Sequence, residues 1–368
     1  MKLLKEELIR LLDAEGEEEH SLFDLAVKVK LGNGGHTVYL RGLIEFSNIC
    51  KKNCYYCGIR KDNSNTRRYC LSRNEALDAI RFAYENGFGS VAIQSGEQSS
   101  DRFVREIDSL LKESMRITNG EIGITLSCGE QTEEVYRRWF ESGASRYLLR
   151  IETSSEALYR KIHPADDNHR FAKRLEALES LKKTGYQTGT GVLIGLPSQT
   201  REDLADDLLF MKQFDIDMCG MGPYICHPKT PLYRYDRELL PLQERFRMTL
   251  RMIALLRILM PDINIAATTA LQSIEAGGRE KAILAGANVL MPNITPQQYR
   301  NDYLLYPNKP VTQLSDEDNL RFLEQSLNQI GHQIGYHQQG NSSHYIKKQY
   351  KRPNCSRYCH NFLFLPEG

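Results

Sequence analysis

From Leu43 onward the apolar positions fall into short β-branched runs, separated by longer stretches where apolar and charged residues recur with a helical period. The runs are Leu43 to Ser47, Ser90 to Gln94, Ile122 to Ser127, Tyr147 to Glu152, Gly191 to Ile194, Met218 to Tyr224, Ile263 to Ala267 and Ala287 to Met291, eight in all. Between them, Arg73 to Asn86, Glu133 to Ser142, Phe171 to Thr184, Arg201 to Phe214 and Leu240 to Leu259 read as amphipathic helices. Gly87, Gly143, Gly185 and Gly286 stand where a helix would end before the next strand, a place that favours left-handed backbone.

Alternating strands and helices pair in parallel, and eight such units in about 250 residues have the size of a closed (β/α)₈ barrel of the TIM type. An open doubly wound sheet would show the same alternation. The barrel is the expected fold, running from about Val38 to Pro292 within a domain of residues 38–310. Two helical stretches, Leu3 to Leu12 and Ser21 to Lys30, form an extension over residues 1–37. In the closing part, residues 311–368, Glu317 to Ile330 reads as one amphipathic helix. The stretch from Gly331, rich in His, Gln, Asn, Lys and Tyr, shows little periodicity and is expected to pack loosely.

Charge removes some partners from consideration. The 48 basic and 47 acidic residues nearly cancel, to +1, so no global field draws in nucleic acid or an anionic membrane. The apolar run Met252 to Met260 is broken by Arg257 and is shorter than the roughly 20 residues that span a bilayer. Met1 to Leu12 alternates charge and leucine, unlike a signal peptide, and the expected location is the cytoplasm. There the nine cysteines would be reduced thiols.

Three of them, Cys50, Cys54 and Cys57, have the spacing C-x₃-C-x₂-C in a loop that leaves the first strand at its carboxyl end. Three thiolates so placed hold three corners of a 4Fe-4S cluster and leave its fourth iron open. A structural zinc site would want a fourth Cys or His nearby, and none lies between Arg41 and Arg68 outside the triad. The surrounding Lys, Asn and Tyr are not the apolar setting of inert buried thiols.

The triad, with Tyr56 before its last cysteine, resembles the signature of the radical S-adenosylmethionine (SAM) superfamily. Longer stretches resemble, within it, the HydE family of FeFe-hydrogenase maturases, a neighbour of biotin synthase and methylornithine synthase. They are Ile44 to Asn48, Ile93 to Glu97, Arg146 to Thr153, Gly191 to Pro197, Gly220 to Tyr224 with His227 and Pro228, Ala267 to Ala270, Gly277 to Glu280 and Asn288 to Asn293. The resemblance implies that SAM chelates the open iron and that reduction of the cluster releases a 5′-deoxyadenosyl radical.

It also implies site residues. Tyr56, Ser95, Glu97, Glu152, Arg174, Gly191 and Gly195 match SAM-binding positions, with Glu152 on the amino group or ribose, Arg174 on the carboxylate, and the two glycines leaving room for adenine. For Arg174 a structural ion pair is the competing reading. Arg150, expected on the same side of the fourth strand as Glu152, would hold the carboxylate of a cysteine-ligated iron carbonyl cyanide substrate, helped by Thr268 and Thr269. Met221, Met291, Tyr303 and Tyr306 match cavity positions, though any of them could be core filler.

The implied partners are that organometallic or an amino-acid substrate, a ferredoxin- or flavodoxin-type electron donor, and other hydrogenase maturases. A carrier that merely hands on an iron fragment would need the same triad; Glu97, Glu152 and Arg174 favour an enzyme. Biotin synthase carries extra barrel cysteines for a second cluster, and Gly189 to Ile194 has none. Methylornithine synthase shares the carboxylate-binding logic and stays open. Some HydE proteins have a second cysteine cluster after the barrel, yet no cysteine lies from Lys309 to Lys351. A separate tail metal site from Cys355, Cys359 and His360 is the remaining option there.

Overall fold

β-branched runs become strands here because a parallel sheet covered on both sides asks for apolar residues on both faces. The computed structural model describes residues 3–307, 309 and 315–350. Its strands are β1 (Thr37–Ser47), β2 (Ser90–Ser95), β3 (Gly123–Ser127), β4 (Ala144–Leu148), β5 (Gln187–Thr190), β6 (Met218–Cys219), β7 (Asn264–Ala267) and β8 (Val289–Leu290). Each pairs in parallel with the next, and β8 returns to β1 through Tyr39 with Val289 and Leu40 with Leu290. The ring is therefore closed, and the TIM-type (β/α)₈ barrel is the fold.

The helices pack outside it. Phe171–Thr184 ends as its sequence demands, with Gly185 at φ 107° donating its N–H to the Leu181 carbonyl. On Glu133–Glu141, Trp139 is fully buried, set edge-on to Phe103 with its indole N–H on the Val104 carbonyl at 3.1 Å. The first two helices, Lys5–Leu12 and Gly16–Gly34, lie against the helices Arg201–Phe214 and Leu242–Leu259.

Three strands differ from the sequence reading, since the run Met218 to Tyr224 divides into β6 and a separate Gly222–Pro223 strand. β4 stops at Leu148, so Arg150 and Glu152 lie beyond it, and Glu152 takes a left-handed φ of 68°. The fifth barrel strand is Gln187–Thr190, while Leu193–Ile194 pairs separately with Gly222–Pro223. The true strand is polar because its side chains close the barrel's internal hydrogen bonds. Thr190 Oγ1 donates to the Leu149 carbonyl and accepts from the Ile151 N–H.

The stretch from Gly331, expected to pack loosely, is held firmly as far as Tyr350. A short strand β9 (Gln333–Ile334) runs beside the start of β1, and residues 339–342 then cross the amino-terminal mouth of the barrel. Arg146 on β4 donates to the Gln339 carbonyl at 2.7 Å and to Asn341 Oδ1 at 2.6 Å. Gln187 donates to the same Asn341 oxygen at 2.6 Å and accepts from the Ser342 N–H. Asn264 on β7 reaches the Gly340 carbonyl at 2.8 Å. Periodicity is absent because this segment plugs a hole rather than coating a face. Cys355, Cys359 and His360 lie outside the described residues.

Asn341→Ala removes the acceptor shared by Arg146 and Gln187 in a water-poor place, so unfolding by denaturant should show a loss of about 1–3 kcal/mol. Unchanged stability would mean that the plug does not hold the barrel's lower end.

Candidate active site

The loop after β1 carries the triad, and its course is fixed on every side. The Lys51 N–H donates to the Glu97 carbonyl, the Glu97 N–H points at Cys50 Sγ at 3.3 Å, and the Gly58 N–H bonds the Leu305 carbonyl. Glycine is required twice. A Cβ on Gly58 would stand 2.1 Å from the Leu304 carbonyl oxygen, and one on Gly96 would stand 2.4 Å from that of Ile49. The end of β2 can thus lie directly against the triad loop.

Two imidazoles hold the outer side. His169 Nε2 accepts the Asn53 N–H at 2.9 Å, so Nδ1 carries the proton that meets Asp166 at 2.7 Å. His163 Nδ1 faces the Tyr159 carbonyl at 2.9 Å, which can only accept, leaving Nε2 to receive the Tyr56 hydroxyl at 3.3 Å. Burial holds His163 neutral, lowering it to about 3.

All three thiols titrate high. Burial pushes Cys54 up to about 12 with Cys50 adding to the shift, and raises Cys57 well above a free thiol, with Cys54 and Cys50 adding to it. All three give up protons when metal binds. Among the described residues no group of three His, Cys, Asp or Glu converges on a single metal ion. A cubane does not require that, because each of its irons takes one thiolate.

Beneath the loop lies a group of buried charges. Glu130 accepts from Arg174 Nε at 2.6 Å on one oxygen and from Lys52 Nζ at 2.8 Å on the other. Burial works against its charge, but Arg174 and Lys52 outweigh it and draw the carboxyl down to about 2. Arg174 also donates to the Arg150 carbonyl. Lys52 and Glu130 were not marked by the sequence reading, although Glu130 follows a strand end as Glu97 does.

Arg150 and Glu152 come together by way of the loop past β4 rather than along a strand. The guanidinium Nε lies 3.0 and 3.1 Å from the two carboxylate oxygens, and Nη2 donates to the Val192 carbonyl at 2.7 Å. Among the described residues Arg150 makes no hydrogen bond to Thr268 or Thr269. Thr268 Oγ1 is buried without a hydrogen-bond partner, as are Glu97 Oε1 and the Tyr159 hydroxyl. Ser95 turns its hydroxyl to the Gly96 carbonyl at 2.8 Å.

The glycines at the fifth strand serve the chain's own packing. A Cβ on Gly191 would meet the Gly220 carbonyl oxygen at 1.9 Å, and one on Gly195, at φ 82°, would meet Arg245 Cγ at 2.3 Å. Their missing side chains let neighbouring protein groups approach the backbone closely. Tyr303 is buried near Glu45 and the Cys57 and Cys50 thiols, whereas Tyr306 stands near Ser273, Glu45 and Arg150. The first belongs to the cluster side and the second to the Arg150 side. Met221 is fully buried and Met291 half-buried.

Residues 44–211 match the Radical SAM superfamily. Over 291 residues, 78% of this chain and 79% of the relative, the sequence is 46% identical to the FeFe hydrogenase maturase subunit HydE of Thermotoga maritima. The chain belongs to the radical SAM superfamily. A 3-methylornithine synthase of Methanosarcina acetivorans is 30% identical over 78% of the chain and 79% of that enzyme. The crystal structure of a methylornithine synthase, PylB, superposes with a TM-score of 0.73 at 25% identity, covering 92% of this chain and 95% of that one.

As a radical SAM enzyme the protein uses a 4Fe-4S cluster and SAM, which together supply a 5′-deoxyadenosyl radical when bound. The residues fit both groups. Three thiols on one loop suit the cluster, and the Arg174 guanidinium with the buried Tyr159 hydroxyl, which lacks a hydrogen-bond partner, suits the carboxylate of SAM. No described helix is long and apolar enough to cross a membrane.

Changing Cys50, Cys54 and Cys57 together to Ala should abolish the iron content and the reduced-cluster EPR signal after anaerobic reconstitution. Gly96→Ala, which drives a methyl into the Ile49 carbonyl at a cost of about 1–3 kcal/mol, should lower iron retention while the barrel still folds. Iron retained at the wild-type level in the triple variant would sink the assignment.

Proposed function

We propose that this radical SAM enzyme acts in the maturation of FeFe hydrogenase. On this reading it directs the adenosyl radical to an iron carbonyl cyanide precursor held by a cysteine ligand. The observation that carries this reading is the 46% identity to HydE across 78% of the chain, a span that includes the barrel's loops as well as its strands. In this reading Cys50, Cys54 and Cys57 ligate the cluster, and Glu152 and Arg174 bind the amino and carboxylate ends of SAM, with Ser95, Glu97 and Tyr56 beside them.

The role of Arg150 follows from its present partner. Its guanidinium, 27% exposed, neutralises the nearly buried Glu152 carboxylate. A zwitterionic cofactor and an anionic substrate would exchange that pair for two new ones, Glu152 with an ammonium or hydroxyl and Arg150 with a carboxylate. Thr268, whose hydroxyl is buried without a hydrogen-bond partner, would complete the carboxylate site, with Thr269 next to it. Met221, Met291, Tyr303 and Tyr306 would line the cavity. An electron donor of the ferredoxin or flavodoxin type, the other maturases as partners, and a cytoplasmic location belong to the same proposal.

Glu152→Ala and Arg174→Ala should each weaken SAM binding by about 1.5–3 kcal/mol, read from the SAM-induced shift of the reduced-cluster EPR signal. Unchanged affinity in both would return the two residues to a structural ion-pair role.

The substrate is tested separately. Lys cannot reproduce a bidentate guanidinium contact, so Arg150→Lys should keep the cluster and SAM cleavage but lose turnover of a cysteine-ligated iron complex. Formation of methylornithine from lysine by the wild type, with no adenosyl adduct from the iron complex, would instead place the enzyme with the methylornithine synthases.

A further inference from the structure

Four charged side chains meet beneath the triad loop, and all are nearly shut off from solvent: Lys52, Glu97, Glu130 and Arg174 are 3, 6, 4 and 6% exposed. Burying four charges is costly unless their geometry is complete. It is completed by Glu130. One of its oxygens receives Arg174 Nε at 2.6 Å, the other receives Lys52 Nζ at 2.8 Å, and its own N–H donates to Glu97 Oε2 at 3.0 Å.

Its two cations come from parts of the chain with different tasks. Lys52 lies inside the triad, between Cys50 and Cys54, where it also donates to the Asn168 carbonyl and stands 3.4 Å from Glu97 Oε1. Arg174 lies on the helix Phe171–Thr184. With Nε on Glu130 and Nη1 on the Arg150 carbonyl, its fork is fixed in direction, and Nη2 is left for another acceptor.

We propose that Glu130 is a positioning residue that ties Arg174 to the cluster-bearing loop through Lys52, so that one carboxylate aims the SAM-binding guanidinium relative to that loop. The inference rests on the reading of Arg174 as the residue that receives the SAM carboxylate. Both carboxylate oxygens of Glu130 are already taken by these two cations. A device for stability alone would not need its two cations to come from the cluster loop and the SAM-binding helix.

The test uses the full chain, reconstituted anaerobically as wild type, Glu130→Gln, Lys52→Met, Lys52→Arg, Arg174→Ala and the Glu130→Gln/Arg174→Ala double variant. Iron content and melting temperature are recorded, and SAM affinity is titrated through the reduced-cluster EPR signal. Gln keeps the shape of Glu130 but turns an amide nitrogen toward one of the two cations. Glu130→Gln should therefore weaken SAM binding about tenfold or more at near wild-type iron content. Lys52→Met should weaken it by a smaller factor, since Arg174 keeps its partner, and Lys52→Arg should recover most of the loss.

The double variant should bind SAM no more weakly than Arg174→Ala alone, because Glu130 acts through that residue. SAM affinity within twofold of wild type in Glu130→Gln, or losses that add in the double variant, would overturn the proposal. Should Glu130→Gln fail to load a cluster, wild-type SAM affinity in Lys52→Met would do the same. If Arg174→Ala itself binds SAM normally, the SAM reading of Arg174 falls, and this proposal falls with it.

Discussion

Closure of the sheet between β8 and β1 is the constraint on which the rest depends. Two residue pairs, Tyr39 with Val289 and Leu40 with Leu290, turn a ribbon of parallel strands into a ring. Loops that leave the carboxyl ends of successive strands then face one another across a single mouth. In this way Cys50 after β1, Glu97 after β2, Glu130 after β3, Arg150 and Glu152 after β4 and Thr268 after β7 share one end of the molecule. An open sheet would leave the first and last of these at opposite edges.

A ring with one interior has two mouths, and they handle buried charge differently. At the carboxyl end, acids meet bases: Glu130 with Lys52 and Arg174, Glu152 with Arg150, Glu45 with Lys309. At the amino end, buried Arg146 is met by a backbone carbonyl and an amide oxygen from the plug, while buried Asp217 is paired with Lys348. Ion pairs can trade partners with a zwitterionic ligand without leaving a net buried charge. Carbonyls of a fixed segment cannot. Chemistry at the first mouth and closure at the second follow from the same cost of burying a charge.

Much of this was legible in the sequence because it is written in local patterns. Strands β1, β2, β3, β7 and β8 and the flanking helices announced themselves by apolar period, and the triad by spacing. β5 was misplaced because Val192, Leu193 and Ile194 look more strand-like than Gln187, Thr188, Gly189 and Thr190, whose polar groups are satisfied only once the barrel closes. The plug was invisible for a related reason. Gln339, Gly340 and Asn341 carry no periodicity, and their partners Arg146, Gln187 and Asn264 are distant in sequence. Glu130 and Lys52 likewise become meaningful only when the fold sets Glu130 between Lys52 and Arg174.

The same connectivity bears on how the proposed cofactor and substrate sites act together. Arg174 donates to the main-chain carbonyl of Arg150, and the Arg150 side chain runs on to Glu152. A residue proposed for SAM thus holds the backbone of a residue proposed for the substrate, and the latter's side chain is held by a second residue proposed for SAM. Any ligand that draws Glu152 away leaves the half-buried Arg150 guanidinium without its carboxylate partner. The site then favours an anion at that position more than it does in the present pairing. The two proposed sites are therefore coupled through the charge balance of Arg150 and Glu152.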